Sequence, residues 1–326
     1  MKSSNIGGQA VMEGIMMRHK DEYAIAVRKP DQEIEVKVEP YKSVIPWKGA
    51  SKIPLLRGVF SFVDSLVVGM KCLMYSASFI EDEEEAGKEV KELSPEEQAK
   101  KDKKDEKAYN LLMGFTVVIS VALSVGLFIL LPYLIASLLK LVGVKETGVT
   151  VVEAFIRIAI FLAYMYLISK MKDIQRVFMY HGAEHKCINC IEHGMELNVE
   201  NVMKNSRLHK RCGTSFLFIV MIVSIIFFLG FFAIVPVHTM WLKVLIRLLL
   251  MPLIAGVSFE FIRLAGNSDN KVVCTLSKPG MALQKLSTNE PTPDMVEVAI
   301  AAVEAVFDWK AYLIENFPEY KGTEDK

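Results

Sequence analysis

The chain has six histidines and five cysteines. His181, His185, His193, His209, Cys187, Cys190 and Cys212 all fall between Lys170 and Gly213, about an eighth of its length. Even scattering would place one or two of the eleven there. In a reducing compartment the usual reason for mixed Cys/His crowding is metal ligation. Within the cluster, His181-Gly182-Ala183-Glu184-His185 has the H-x-x-E-H spacing of inverted zinc-protease motifs. If the preceding span continues as a helix past Arg176, His181 and His185 lie one turn apart on one face. Both rings can then reach one Zn2+ at about 2.0–2.1 Å. Such an ion lowers the pKa of a bound water toward about 7, and Glu184 is positioned to accept its proton.

The third ligand is not fixed by spacing. Glu192, two turns beyond His185, shares the face and is either a ligand or a group that orients one. His209 and Glu260 are further candidates. Glu260 stands near the end of an apolar stretch, where a carboxylate is costly and is either functional or paired; Arg263, one turn on, offers an i, i+3 partner. A second set overlaps the first: Cys187-x-x-Cys190 with His209-x-x-Cys212 could close a tetrahedral structural site with no open position. Helix geometry turns Cys187 about 100–200° from the histidine face, so one ion does not use every candidate.

The elements that must position these residues read as follows. Of 326 residues 52% are hydrophobic, and 38 Lys+Arg balance 38 Asp+Glu; the mean hydropathy is +0.30. The charges are segregated rather than sparse. This excludes a basic nucleic-acid binder, and five unevenly spread cysteines do not make a secreted disulfide framework. The fold class that follows is a mainly α, polytopic membrane protein: four transmembrane helices with cytosolic α+β pieces, including an N-terminal β-hairpin. No signal peptide is expected in Met1–Arg18.

Residues 1–54 form an N-terminal cytosolic module. Its hairpin pairs Tyr23–Val27 with Glu33–Val38 around Lys29-Pro30-Asp31-Gln32. Residues 55–80 have the apolar spacing of one helical face, but Asp64 would cost about 3 kcal/mol at membrane depth. The segment therefore lies in the interface or forms a core helix of the module. Residues 81–107 are a charged linker. The spans fall in two pairs, 108–169 and 214–265, separated by the His/Cys-rich loop 170–213 and followed by a helical segment, 266–326. Lys and Arg flank the span ends facing that loop and both termini, placing those parts in the cytosol. Arg157, Lys243 and Arg247 sit in the outer halves of spans, where snorkelling accounts for them.

The strings Gly7-Gly8-Gln9-Ala10-Val11-Met12-Glu13-Gly14 with Met16-Met17-Arg18, Tyr180 to Lys186, Glu196 to Val202, Leu208 to Phe216 and Glu290-Pro291 resemble the YqhQ-like family. That family comprises bacterial multipass membrane proteins of unknown function, in places described as predicted metal-dependent enzymes. The resemblance runs along nearly the whole chain and implies the inner membrane of a bacterium. It singles out Gln9, Glu13 and Arg18 as polar residues of a loop folded onto the site, and counts Cys187 least among the pattern residues.

The leading expectation is therefore a metal-dependent membrane hydrolase, with Zn2+ as cofactor and Glu184 as base. The metal set is drawn from His181, His185, Glu192, His209, Cys212 and Glu260, with Cys190 and Arg263 as further candidates. Membrane lipids and a membrane-surface substrate or protein are the expected partners, with homo-oligomerisation left open and no nucleic acid. The alternative is a scaffold clamped by a structural zinc. A transporter fits poorly, because the span centres are almost bare of polar ligands.

Overall fold

The computed structural model describes residues 2–44, 53–85, 111–112, 114–235, 237, 239–266, 270–318 and 320. The charged linker lies outside the described residues from 86 onward. The chain forms two compact units. One comprises Met1–Glu83, Met165–Ser224 and Leu250–Lys326, the other Glu84–Tyr164 and Ile225–Leu249.

The first unit begins with an antiparallel sheet in which β1 (Gly7–Val11), β2 (Gly14–His19), β3 (Glu22–Arg28) and β4 (Ile34–Pro40) pair in chain order. The expected hairpin is β3–β4, in the register Tyr23↔Glu39 and Val27↔Glu35. Two further strands come from the Gly-rich stretch before it. Gly14 is required there, because a Cβ would meet the Ala26 carbonyl oxygen at 2.4 Å.

Helix α1 (Leu56–Glu85) buries Val68 and Cys72 against Val11, Met16, Tyr23, Ile25 and Val27 of the sheet. Asp64 is buried too, and accepts hydrogen bonds from the Tyr41 hydroxyl (2.9 Å) and the Val44 amide (2.8 Å). Its carboxylate thus serves the sheet module.

Among the described residues, five helices are long and apolar enough to cross a membrane: Leu56–Phe79 within α1, α2 (Gly114–Val142), α3 (Glu146–Ile168), α6 (Gly213–Ile234) and α7 (Met240–Gly266), whose apolar part is Met240–Ala265. Four coincide with the expected spans, and the fifth is the segment expected either to lie in the interface or to form a core helix of the module. The remaining helices are α4 (Lys172–Glu192), α5 (Val199–Lys204), α8 (Lys271–Ser287), α9 (Pro293–Glu304) and α10 (Trp309–Asn316). Thr292 precedes Pro293 at the start of α9, the arrangement a proline with no N–H to lose favours. Met295, Val296, Val298, Ala299, Ala302 and Val303 of α9 pack with Ile15, Met17 and Ala26 of the sheet and with Tyr180, Ala183, Cys187 and Ile191 of α4. This is the core on which the candidate site rests.

In the second unit the three basic residues expected to snorkel do not reach for water. Arg157, Lys243 and Arg247 are buried. Glu153 pairs with Arg157 and Arg247 at 2.6 Å each, and Glu146 pairs with Lys243. A carboxylate within reach, one turn away for Arg157 and on α3 for Arg247 and Lys243, removes the need to extend to the interface.

Candidate metal centre

Helix α4 does not continue α3 as a single rod. The backbone leaves helix after Ile168, Met171 is extended (φ −73°, ψ 128°), and α4 restarts at Lys172. From there the helix runs unbroken through both histidines. From Tyr180 to Glu192 all but one of its residues are buried, His181 being half-buried. A helix covered on every side must satisfy its polar groups internally.

It does so by gripping the chain that crosses it. Lys186 Nζ donates to the carbonyls of Met203 (3.0 Å) and Asn205 (2.8 Å), and Asn189 Nδ2 to those of Ser206 (2.6 Å) and Leu208 (3.0 Å). These four bonds lay residues 203–208 along α4 and deliver His209 and Cys212. On the other flank Gly182 lets the chain after α8 pass. A Cβ at 182 would stand 2.0 Å from the Asn289 carbonyl oxygen, and the Asn289 amide bonds the Phe178 carbonyl at 2.8 Å.

The two crossings place one carbonyl on each ring. His181 Nδ1 lies 2.8 Å from the Ser287 carbonyl oxygen and His185 Nδ1 lies 2.6 Å from that of Arg207. A carbonyl can only accept, so Nδ1 carries a hydrogen in both rings and each Nε2 is left to face the Cys212 sulfur. The ring centroids are 4.4 Å apart. Cys212 Sγ completes the set at 3.3 Å from His181 Nε2. Donor atoms of His181, His185 and Cys212 all lie within 4.8 Å of one another.

Cys212 stands at the start of α6. The Thr214 amide donates to its sulfur at 3.4 Å and the Thr214 hydroxyl lies 3.3 Å away. Burial opposes ionisation of the thiol, but His181 and His185 outweigh it and hold Cys212 well below the usual thiol range. Burial likewise pushes His181 down, and the adjacent Cys212 sulfur more than reverses this, raising it to about 9. Glu184 is 5% exposed, with its carboxyl within electrostatic reach of all three donors. Burial raises its pKa, although the Gly8 amide donates to it. A Cβ on Gly8 would meet Glu184 Cδ and Cγ at 2.8 Å, so β1 reaches the carboxyl only through glycine.

The other candidates lie elsewhere. Glu192 anchors a separate buried network: it accepts from the Ser4 amide and hydroxyl at 2.8 Å each, from Arg211, and from His209 Nε2 at 3.3 Å. Burial works against its charge, but His209 and Arg211 prevail and bring it down to about 2. His209 itself is pushed below the usual histidine range by burial. Gln284 of α8 fixes His209 by accepting from its amide (2.9 Å) and donating to its carbonyl (2.8 Å).

Glu260 is paired with Arg57, Nε to Oε1 at 2.6 Å, rather than serving the centre; Arg263 is exposed. Cys190 donates to the Glu196 carbonyl at 3.2 Å, and Cys187 is sealed in the apolar core. The set Cys187, Cys190, His209 and Cys212 does not converge among the described residues. Gln9, Glu13 and Arg18 do not fold onto the centre either. Gln9 lies over Gly69 of α1, Glu13 pairs with Arg176 of α4, and Arg18 stacks on the Tyr41 ring at 3.2 Å. Their glycine neighbour Gly8 makes the contact instead. The residues that spacing could not reveal are Ser287 and Arg207, whose carbonyls accept from the rings, and the clamp Gln284. The one local signal was a glycine inside the motif.

Residues 53–309 match the model of a family described as "Protein of unknown function (DUF1385)". The chain belongs to that family. It is similar to the "Uncharacterized protein YqhQ" of Bacillus subtilis (strain 168), 35% identical over 315 residues, which cover 95% of this chain and 94% of that one. No solved structure matches it. The YqhQ-like resemblance read from the motif strings is therefore sound, and it carries no activity with it.

Proposed function

We propose that the protein is a metal-dependent hydrolase, most simply a zinc enzyme, working at the cytosolic face of the inner membrane. The observation that carries this reading is the convergence of His181 Nε2, His185 Nε2 and Cys212 Sγ, with each Nδ1 committed to a carbonyl. Two imidazoles and a thiolate suit Zn2+. Held by these three residues, Zn2+ would supply a Lewis acid and lower the pKa of a bound water toward about 7. Glu184 is the general base: it takes the proton from water as the oxygen attacks the scissile carbonyl or phosphoryl centre, then passes it to the leaving group. His181 is the half-buried ligand, so substrate approaches from its side.

Four of the five apolar helices are taken as spans. The first, α1, has one face committed to the sheet, which supports an interfacial position for it. Cytosolic termini follow from the basic residues at the span ends.

Elemental analysis of the purified protein is the test. About one zinc per chain is expected in wild type and in Glu184→Gln, and little in His181→Ala or Cys212→Ala. Hydrolysis of a reporter ester or phosphodiester by wild type should be lost in Glu184→Gln. Metal retained in both ligand variants would end the proposal. Metal held equally by wild type and Glu184→Gln, without turnover of any ester, amide or phosphodiester, would favour the scaffold alternative.

A further inference from the structure

Helix α8 is held at the level where two apolar helices end. Asn270 caps its start by accepting from the Val272 amide at 2.8 Å, four residues beyond the end of α7. Its inner face rests on the head of α6. A Cβ on Gly280 would meet Ser215 Cβ at 3.1 Å. Gln284 Nε2 donates to the Ser215 hydroxyl at 2.7 Å, and the Ser287 and Thr214 hydroxyls are 3.1 Å apart. The apolar part of α7 ends at Ala265 and α6 begins at Gly213, so α8 lies where both emerge. At about 1.5 Å per residue its 17 residues reach about 25 Å, short of the roughly 30 Å of a bilayer core.

Its outer face divides into two stripes. Lys271, Lys278 and Lys285 recur every seven residues and, at about 100° per residue, fall within about 40° of one another. Val272, Leu276 and Pro279 form the second stripe, about 130° further round. All six are exposed, Val272 at 67% and Leu276 at 57%. From Lys271 to Asn289 the chain has three lysines and no acidic residue. A helix so patterned lies in a membrane interface, its apolar side chains among the acyl chains and its ammonium groups among the phosphates.

We propose that the outer face of α8 is a docking surface for anionic phospholipid, lying in the plane of the membrane that α6 and α7 cross. Two observations select this occupant. Continuity with the ends of α6 and α7 puts the face at headgroup level, and a stripe of lysines on a helix without acids favours an anionic over a zwitterionic lipid. The opposite face carries Gln284 and the Ser287 carbonyl, which hold His209 and His181. Docking therefore sets the candidate centre about one helix diameter, roughly 10–12 Å, from the headgroups. It rests on the membrane reading of α6 and α7 and requires neither metal nor turnover, so it is tested apart from the hydrolase reading.

Lipids brominated on their acyl chains quench tryptophan on contact and test this in the full-length protein. Leu276→Trp is reconstituted into nanodiscs of equal parts phosphatidylglycerol and phosphatidylcholine, with the bromine on one lipid or on the other. Its fluorescence is read against protein lacking the substitution. A lysine at an anionic surface favours the charged lipid about fivefold. Quenching should therefore be about twofold or more stronger with the bromine on phosphatidylglycerol. The bias should vanish when Lys271→Gln, Lys278→Gln and Lys285→Gln are added. If Leu276→Trp does not fold, Val272→Trp, one turn earlier on the same stripe, gives the same reading. Absence of quenching by either lipid, as when water or a second copy covers the face, would overturn the proposal. Equal quenching by both lipids, or a bias that survives loss of the three lysines, overturns it equally.

Discussion

Replacing Gly182 with Ala tests whether the chain crossing α4 sets the site. On an exposed helix the change would stabilise by about 1 kcal/mol, since glycine is the poorer helix former. Here the new methyl would stand 2.0 Å from the Asn289 carbonyl oxygen, when even 3.0 Å is closer than real Cβ contacts come. The 287–291 segment must therefore retreat by about 1 Å, an overpacking that costs about 1–3 kcal/mol. Retreat also stretches the 2.8 Å contact between the Ser287 carbonyl and His181 Nδ1, worth about another 1 kcal/mol. The net expectation is destabilisation of about 1–3 kcal/mol, a midpoint lowered by several degrees. Zinc affinity should fall about 10–100-fold, as for other losses of a group orienting a ligand. Gly230, with nothing within 4 Å of its would-be Cβ, is the control: Gly230→Ala should leave both readouts unchanged or slightly improved. Thermal unfolding and competition with a zinc chelator measure the two effects. A Gly182→Ala protein that matches Gly230→Ala in both would refute the reasoning.

Two further outcomes are expected. Because the folded-state pKa of Glu192 is depressed to about 2, its contribution is in place above about pH 4.5 and is lost as pH falls toward 2. It amounts to about 3 kcal/mol. The stability difference between wild type and Glu192→Gln should therefore shrink across that interval in chemical denaturation, and a difference constant with pH would contradict this account. Cys187→Ala and Cys190→Ala should keep full zinc content by elemental analysis, at a packing cost in stability, because neither sulfur approaches the His181 and His185 rings; loss of metal in either would restore the closed four-ligand site.

Local pattern carried the part of the site that lies on one helix. His181, Glu184 and His185 are readable because 3.6-residue periodicity alone makes them neighbours. Cys212 was also a candidate, but spacing tied it to Cys187 and Cys190. Its place beside His181 depends on Lys186 and Asn189 drawing residues 203–208 across α4, a long-range event no local period encodes. Glu260 was weighed against its helical neighbour Arg263, whereas its partner, Arg57, lies some two hundred positions away in sequence. The apolar spans read clearly from composition. Strands β1 and β2 did not, because Gly7, Gly8 and Gly14 have low strand propensity, and Gly8 and Gly14 are needed for close approach to Glu184 and Ala26 rather than for pairing.

The convergent donors sit on α4 and at the head of α6, the carbonyls that orient them come from Arg207 and from the end of α8, and the amide at Glu184 comes from β1. Two hydrophobic helix pairs intervene between these stretches along the polypeptide. No contiguous soluble excerpt therefore contains the whole constellation, and a water-soluble fragment of the loop alone would present its histidines without their hydrogen-bond partners. Reconstitution has to begin from the intact chain in a lipid-like environment.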